Sequence, residues 1–290
     1  MSWRFAVTAK PPRTEPPAGK VRRQLAELGH RPRRSLGQHF LADPSIARRI
    51  VDLANITPGR RIVEIGPGLG ALTDLLAERA SELVLVEYDT GLAHDLRSRF
   101  AGSAHVSVVE ADVLEVDFAT VLDATGDAVV VANLPYNIAT AVLARLLDQR
   151  QLFARLVVMI QREVAERMRA APGSKAYGAL SVLTQVAARV QRGFRVAPAA
   201  FVPRPEVDSE VVVIEPSREW RADIGDFHAF RRLVQTAFGQ RRKQLLNSLR
   251  PLSENPAELL RSVGIDPTRR AETLSLDEFA TLSRALEAKT

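Results

Sequence analysis

Along the chain, short apolar runs alternate with stretches whose apolar positions recur at helical spacing. Five runs stand out, at residues 61–65, 83–86, 106–109, 128–132 and 156–160. Each is rich in Val, Ile or Leu, the pattern of a strand buried on both faces of a parallel sheet. Between the first two, residues 71–78 predict a helix. Upstream, Asp43 reads as an N-cap with Pro44 in the first turn, and Ile46, Ile50, Val51 and Leu53 supply a buried face. Leu25, Ala26 and Leu28 predict a shorter helix over residues 21–29, stopped by Gly29.

Strands that alternate with helices specify an α/β fold with a doubly wound, mostly parallel sheet. Two later strands, near residues 188–196 and 210–214, are expected to complete it as an antiparallel hairpin at one edge. The proline-rich segment 198–205 between them reads as a stiff loop carrying Phe201 as an exposed aromatic. From Trp220 onward strand patterns stop, and Leu233, Val234, Ala237 and Phe238 recur at helical spacing. The expected organisation has three parts. Residues 1–30 are a basic, Pro-rich N-terminal extension, residues 31–216 the sheet domain, and residues 217–290 a smaller C-terminal helical domain.

Charge changes this picture at both ends. Residues 1–34 carry nine Lys and Arg against two Glu, a net +7, whereas the remainder of the chain comes to −1. Residues 218–250 hold eight basic and three acidic side chains, among them Arg241, Arg242 and Lys243. Such concentrations suit a polyanion. They are also what a solvated helix face and, for residues 1–20, a disordered tail look like. No apolar run reaches the length of a membrane span, and there is no signal-peptide pattern at the N-terminus. The chain has no cysteine, and its five histidines form no HxxxH or HExxH pair. Disulfides and thiolate metal sites are excluded, no metal is expected, and a cytoplasmic location is expected.

The candidate chemistry lies where the strands end, the edge at which open α/β sheets bind ligands. The first strand leads into Gly66-Pro67-Gly68-Leu69-Gly70, a turn whose backbone can approach a nucleotide-like ligand closely. Glu87 ends the second strand, about twenty residues after the glycines, where a carboxylate can accept from two ribose hydroxyls. Asp112 follows the third strand and suits an adenine amino group. The fourth leads into Asn133-Leu134-Pro135-Tyr136. Asn133 offers a carboxamide oxygen, Leu134 before proline an extended carbonyl, and Tyr136 a flat face for stacking. The glycine spacing differs from the G-x-G-x-x-G of dinucleotide enzymes and suits a cofactor without phosphates, such as S-adenosylmethionine. Singly, each element is also an ordinary strand end; the ordered set is what points to transfer of a methyl group to an adenine amine. That base must leave its stack to enter the pocket.

These residues lie in segments that resemble the bacterial small-subunit ribosomal RNA adenine N6-dimethyltransferases (the KsgA family). The segments are Ser35–Leu41, Glu64–Gly70, Asn133–Thr140, Gln161–Ala165, Lys175–Gly178, Phe201–Ser209 and Ala237–Lys243. The resemblance implies a Rossmann-like methyltransferase sheet and dimethylation of two adjacent adenosines in the 3′-terminal hairpin loop of small-subunit rRNA during ribosome biogenesis. It implies cofactor contacts at His39, Leu41, Gly66, Glu87, Asp112 and Asn133, with Gly68 in the same turn, and Phe201 facing Tyr136 across the target base. The implied partners are that RNA and the immature small subunit, bound by a monomer, with Arg241, Arg242 and Lys243 on RNA phosphate. The family usually has asparagine where this chain has His39. Three other readings compete: a large-subunit rRNA adenine methyltransferase conferring macrolide resistance, a non-catalytic RNA-binding assembly factor on the same fold, and a nicotinamide dehydrogenase.

Overall fold

The structure is a computed structural model and describes residues 15–122, 126–240 and 242–288. Seven strands form the main sheet: β2 (Arg61–Ile65), β3 (Glu82–Glu87), β4 (Val106–Glu110), β5 (Ala128–Asn133), β6 (Phe153–Gln161), β7 (Ala188–Val196) and β9 (Ser209–Pro216). Two short strands, β1 (Phe40–Leu41) and β8 (Phe201–Val202), pair separately. The main sheet runs β4-β3-β2-β5-β6-β9-β7. Pairing is parallel from β4 through β6, and β9 is antiparallel to both β6 and β7.

The chain builds outward from β2 to β4, then returns to lay β5 on the other side of β2. The reversal leaves a crevice at the C-terminal ends of β2 and β5, the switch point where such sheets bind ligands. Gly66 follows one of these strands and Asn133 ends the other. The expected terminal hairpin forms, with β9 inside and β7 at the edge.

Helices α2 (Pro44–Leu53), α3 (Thr73–Ala77), α4 (Thr90–Arg99), α5 (Phe118–Val121), α6 (Ala139–Asp148), α7 (Arg162–Met168) and α8 (Ala179–Ala187) accompany the sheet, preceded by α1 (Pro17–Glu27). Asp43 caps α2 as its sequence indicates, accepting from the Ser45 amide at 2.8 Å. One sheet face, with Ile62, Leu85, Val131 and Val211, packs on Ile50 and Val51 of α2. The other, with Val63, Val84, Val130 and Val212, shares one apolar cluster with α6 and α8. That cluster extends into the C-terminal helices α9 (Phe227–Phe238), α10 (Leu245–Ser248), α11 (Pro256–Ser262) and α12 (Leu276–Glu287). Tyr177 belongs to it as packing. Its ring is buried, its hydroxyl donates to the Leu274 carbonyl at 2.9 Å, and burial pushes its pKa up to about 12.

Two expectations need correction. Helix α1 begins at Pro17, four residues before the sequence suggests, because proline is tolerated in a first helical turn. Val21 and Leu25 are buried against Phe40, Leu69, Leu92 and Val202, so residues 17–27 are seated on the body rather than being a solvated tail; residues 1–14 of the extension lie outside the described residues. Phe201 is 3% exposed, not an exposed loop aromatic. The turn at Pro198–Ala200 delivers it into β8, which pairs with β1 (Leu41 opposite Phe201), and burial of its ring beneath that pair outweighs the loop-like composition around it.

Candidate active site

The crevice opens into a cavity of about 280 Å³. Its wall beside β2 is made largely of backbone. Gly66, Gly68 and Gly70 all have φ between +58° and +82°. At Gly68 the need is double: its φ is +58°, and an added Cβ would lie 3.1 Å from the Phe40 ring. Its amide donates to Glu87 Oε2 at 3.0 Å, and the Asp89 amide donates to Oε1 at 2.9 Å. Glu87 is 6% exposed; burial raises its pKa, and these two backbone bonds oppose the rise. Each oxygen keeps a lone pair for a ligand hydroxyl. Asp112 accepts from the Leu114 amide at 2.9 Å through Oδ1, and its Oδ2 has no partner among the described residues.

The opposite wall is the turn after β5. Asn133 Nδ2 donates to the His39 carbonyl at 3.0 Å. That bond identifies the amide nitrogen and leaves Oδ1 as an acceptor. The Leu134 amide donates to the Met159 carbonyl at 3.1 Å, while the Leu134 carbonyl accepts from no described residue. Tyr136 is held by its hydroxyl, 2.6 Å from Ser209 Oγ, and by the His39 imidazole stacked 5.4 Å from its ring centre. Burial raises the Tyr136 pKa, so the phenol stays protonated. His39 is itself tied through Nδ1 to the Pro203 carbonyl at 2.8 Å.

His39, Leu41, Gly66, Gly68, Glu87, Asp112, Asn133, Leu134, Pro135 and Tyr136 all line this one cavity. Phe201 is not among the lining residues; its ring is buried in the adjoining apolar cluster. Arg242 and Lys243 are exposed in the turn between α9 and α10, outside the cavity, with no side-chain partner among the described residues; Arg241 lies outside the described residues.

Sequence reasoning missed Glu64 as a site residue in its own right. It lines the cavity, is 1% exposed, and its Oε2 has no hydrogen-bond partner among the described residues. Burial pushes its pKa up to about 8. The available signal was an ionisable residue inside a strand otherwise read as doubly buried. Tyr88 was also missed; it lines the cavity although 59% exposed.

The lining therefore carries three carboxyl groups, Glu64, Glu87 and Asp112, and no Lys or Arg. Such a wall offers a phosphate no cationic partner and suits a neutral or cationic ligand rich in hydrogen-bond donors. A nicotinamide dinucleotide fits it poorly. S-adenosylmethionine fits, since it brings an ammonium, a sulfonium, two ribose hydroxyls and an adenine amine. Among the described residues, no group of His, Cys, Asp and Glu is arranged to hold a metal, and no helix is long and apolar enough to cross a membrane.

Comparison with known proteins agrees with this geometry. A protein from Geobacter metallireducens described as ribosomal RNA small subunit methyltransferase A is 48% identical over 267 residues, 90% of this chain and 97% of that protein. One of the same description from Magnetococcus marinus is 44% identical, covering 91% and 95%. Among solved structures, a dimethyladenosine transferase from Plasmodium falciparum superposes with a TM-score of 0.73 at 25% identity, over 84% of this chain and 96% of that one. The 23S rRNA methyltransferase ErmE, at 24% identity and a TM-score of 0.62 over 86% and 99%, shares the fold. The model of the ribosomal RNA adenine dimethylase family matches residues 29–288, and the chain belongs to that family.

Proposed function

We propose that this chain dimethylates N6 of two adjacent adenosines in the 3′-terminal hairpin loop of small-subunit rRNA, using S-adenosylmethionine, as the cytoplasmic small subunit is assembled. One observation carries the reading. A cavity with three carboxyl groups and no Lys or Arg also presents the Asn133 Oδ1 and Leu134 carbonyl acceptors beside the Tyr136 ring. When bound, the cofactor supplies a methyl group on a positively charged sulfur.

Each residue's part follows from its chemistry. Glu87 accepts from the ribose hydroxyls, Asp112 from the cofactor's adenine amine, and the buried Glu64 carboxyl faces its positive end. Gly66 and Gly68 keep the backbone close, and Leu41 and His39 close the rim. The flipped target base stacks on Tyr136. Its amine lone pair is delocalised into the ring and is a poor nucleophile. Asn133 Oδ1 and the Leu134 carbonyl accept its two N–H groups, which favours a pyramidal nitrogen with its lone pair aimed out of the ring plane. Pro135 holds Leu134 extended so that its carbonyl stays free. This is positioning and electrostatics, with no dedicated base. Outside the cavity, Arg241, Arg242 and Lys243 of the C-terminal helical domain, residues 217–290, bind RNA phosphate.

The names of the relatives favour the small-subunit substrate over the large-subunit one. The test is incubation with labelled S-adenosylmethionine and unmethylated small subunits, followed by mapping of modified nucleotides. Two adjacent N6,N6-dimethyladenosines are expected; label confined to large-subunit RNA, or none, overturns the reading.

A further inference from the structure

Edge strand β7 carries Arg192 and Arg195, three positions apart. In an even strand, residues three apart point to opposite faces. Here the ladder slips by one residue at Gly193: Arg192 lies opposite Val212, Phe194 opposite Val211, and Arg195 opposite Glu210. The extra residue turns Arg195 onto the face that Arg192 and Glu210 share, since directly opposed residues present side chains on one face. Glycine is required at the slip. A Cβ at Gly193 would lie 2.8 Å from the Val211 carbonyl oxygen and 2.9 Å from Leu53 Cδ1. Bulges of this kind re-aim side chains beside active sites.

On that face Glu210 is 1% exposed, with Arg169 Nη2 at 2.5 Å from Oε1 and Arg192 Nε at 3.6 Å from Oε2. One guanidinium neutralises one carboxylate. Three arginines around Glu210 leave a surplus of two positive charges, which pairing does not account for. Arg169 Nη1 is buried without a hydrogen-bond partner, and Arg195 is exposed with no partner among the described residues. The cluster lies at the same end of β9 as the tether of Tyr136, without lining the cavity itself. Ser209, immediately before Glu210, is the residue that holds the Tyr136 hydroxyl. Strands β6 and β7 end at the same level on either side of β9, Gln161 and Val196 both lying opposite Ser209.

We infer that Arg169 and Arg192, oriented by Glu210, and Arg195 on the same face form a phosphodiester-binding cluster that holds the RNA backbone flanking the target adenosine. A carboxylate that fixes guanidinium forks pre-organises them for planar, bidentate phosphate recognition. This inference rests on the rRNA-methyltransferase reading of the cavity.

The test compares the full-length wild type with Arg192→Gln/Arg195→Gln in binding a small-subunit rRNA hairpin fragment across a range of KCl. Loss of two phosphate contacts lowers the log–log salt slope by about 1.4 to 1.8. KM for RNA rises, and the Kd of S-adenosylmethionine stays at the wild-type value. Arg192→Lys/Arg195→Lys restores most of the slope, because the charge is kept. Arg195→Gln alone, which removes no contact within the fold, lowers the slope by about 0.7 to 0.9 and decides the matter if the double variant misfolds. A wild-type slope in a folded Arg195→Gln variant that still methylates RNA overturns the cluster and leaves the activity standing. A wild type that methylates no rRNA adenosine overturns the activity, and the cluster with it.

Discussion

The two walls of the cavity are built differently. The wall beside β2 is assembled from neighbours: Gly68 and Glu87, 19 residues apart, are joined across adjacent parallel strands, and Glu87 meets the Asp89 amide two residues on. The wall after β5 is assembled from distant segments. Asn133 is fastened to a carbonyl 94 residues away, Tyr136 to a hydroxyl 73 residues away, and His39 to a carbonyl 164 residues away. The first wall also carries two acids whose pKa values burial raises, Glu64 and Glu87, whereas Tyr136 on the second stays neutral. Damage to the first wall should therefore read out as cofactor affinity and pH dependence. Damage to the second should read out as methyl transfer and RNA capture.

The largest expected effect breaks the comparison at Glu64. Its folded pKa, about 8, lies above the ordinary 4.5, so between those values the folded chain holds a proton that the unfolded chain has lost. Stability accordingly falls as pH rises through that window, by up to about 4–5 kcal/mol at about 1.4 kcal/mol per unit. Glu64→Gln removes the titration. Urea unfolding at pH 5, 6.5 and 8 should show the variant losing much less stability than the wild type; parallel profiles would refute the buried-proton account. On the other wall, Asn133→Ala should lower single-turnover transfer by about 10²–10³-fold, the scale for one preorganised polar group acting on a reacting centre. It should leave cofactor affinity less affected than Glu87→Ala does. Transfer at the wild-type rate would mean that Oδ1 plays no part.

Legibility followed the same division. Valine-rich runs at residues 128–132 and 156–160 declare their strands, and Glu87 and Asp112 stand at strand ends because the chain places them there. Nothing local to Phe201 says that it will be covered. Its burial depends on pairing with Leu41, 160 positions earlier. The same holds for Arg192, Arg195 and Glu210, unremarkable apart and on one face only once β7 has slipped at Gly193. Glu64 was visible, as an acid within a strand, but its raised pKa follows from complete enclosure, which spacing does not encode. Helix α1 was read too short because the prolines around residue 17 looked like a tail.

A smaller effect sharpens the first wall. Glu87→Ala removes a carboxylate that accepts from two backbone amides and is placed for the ribose. Charge-assisted bonds of this kind contribute about 1.5–3 kcal/mol. Calorimetry should show S-adenosylmethionine binding weakened by about tenfold to a hundredfold, with RNA affinity unchanged. Unchanged cofactor affinity in a folded variant would take Glu87 out of the site.

The smallest effect tests how the second wall holds its ring. If Tyr136 acts by stacking, Tyr136→Ala weakens capture of the flipped base by about 1–3 kcal/mol. The hydroxyl has a different task, because its bond to the buried Ser209 fixes where the ring lies rather than what it touches. Tyr136→Phe keeps the stacking face and forfeits that tether, a net loss of about 1 kcal/mol. About a fivefold drop in transfer at subsaturating RNA is then expected, with most activity retained. Ser209→Ala should reproduce the drop, and combining it with Tyr136→Phe should add little, since the second change removes a partner already lost. Mass spectrometry of digested RNA after a single turnover gives all four rates, counting mono- and dimethyladenosine separately. If Tyr136→Phe is as inactive as Tyr136→Ala while Ser209→Ala behaves as wild type, the hydroxyl acts on the substrate itself. The second wall would then owe its chemistry to a proton donor rather than to a tethered ring.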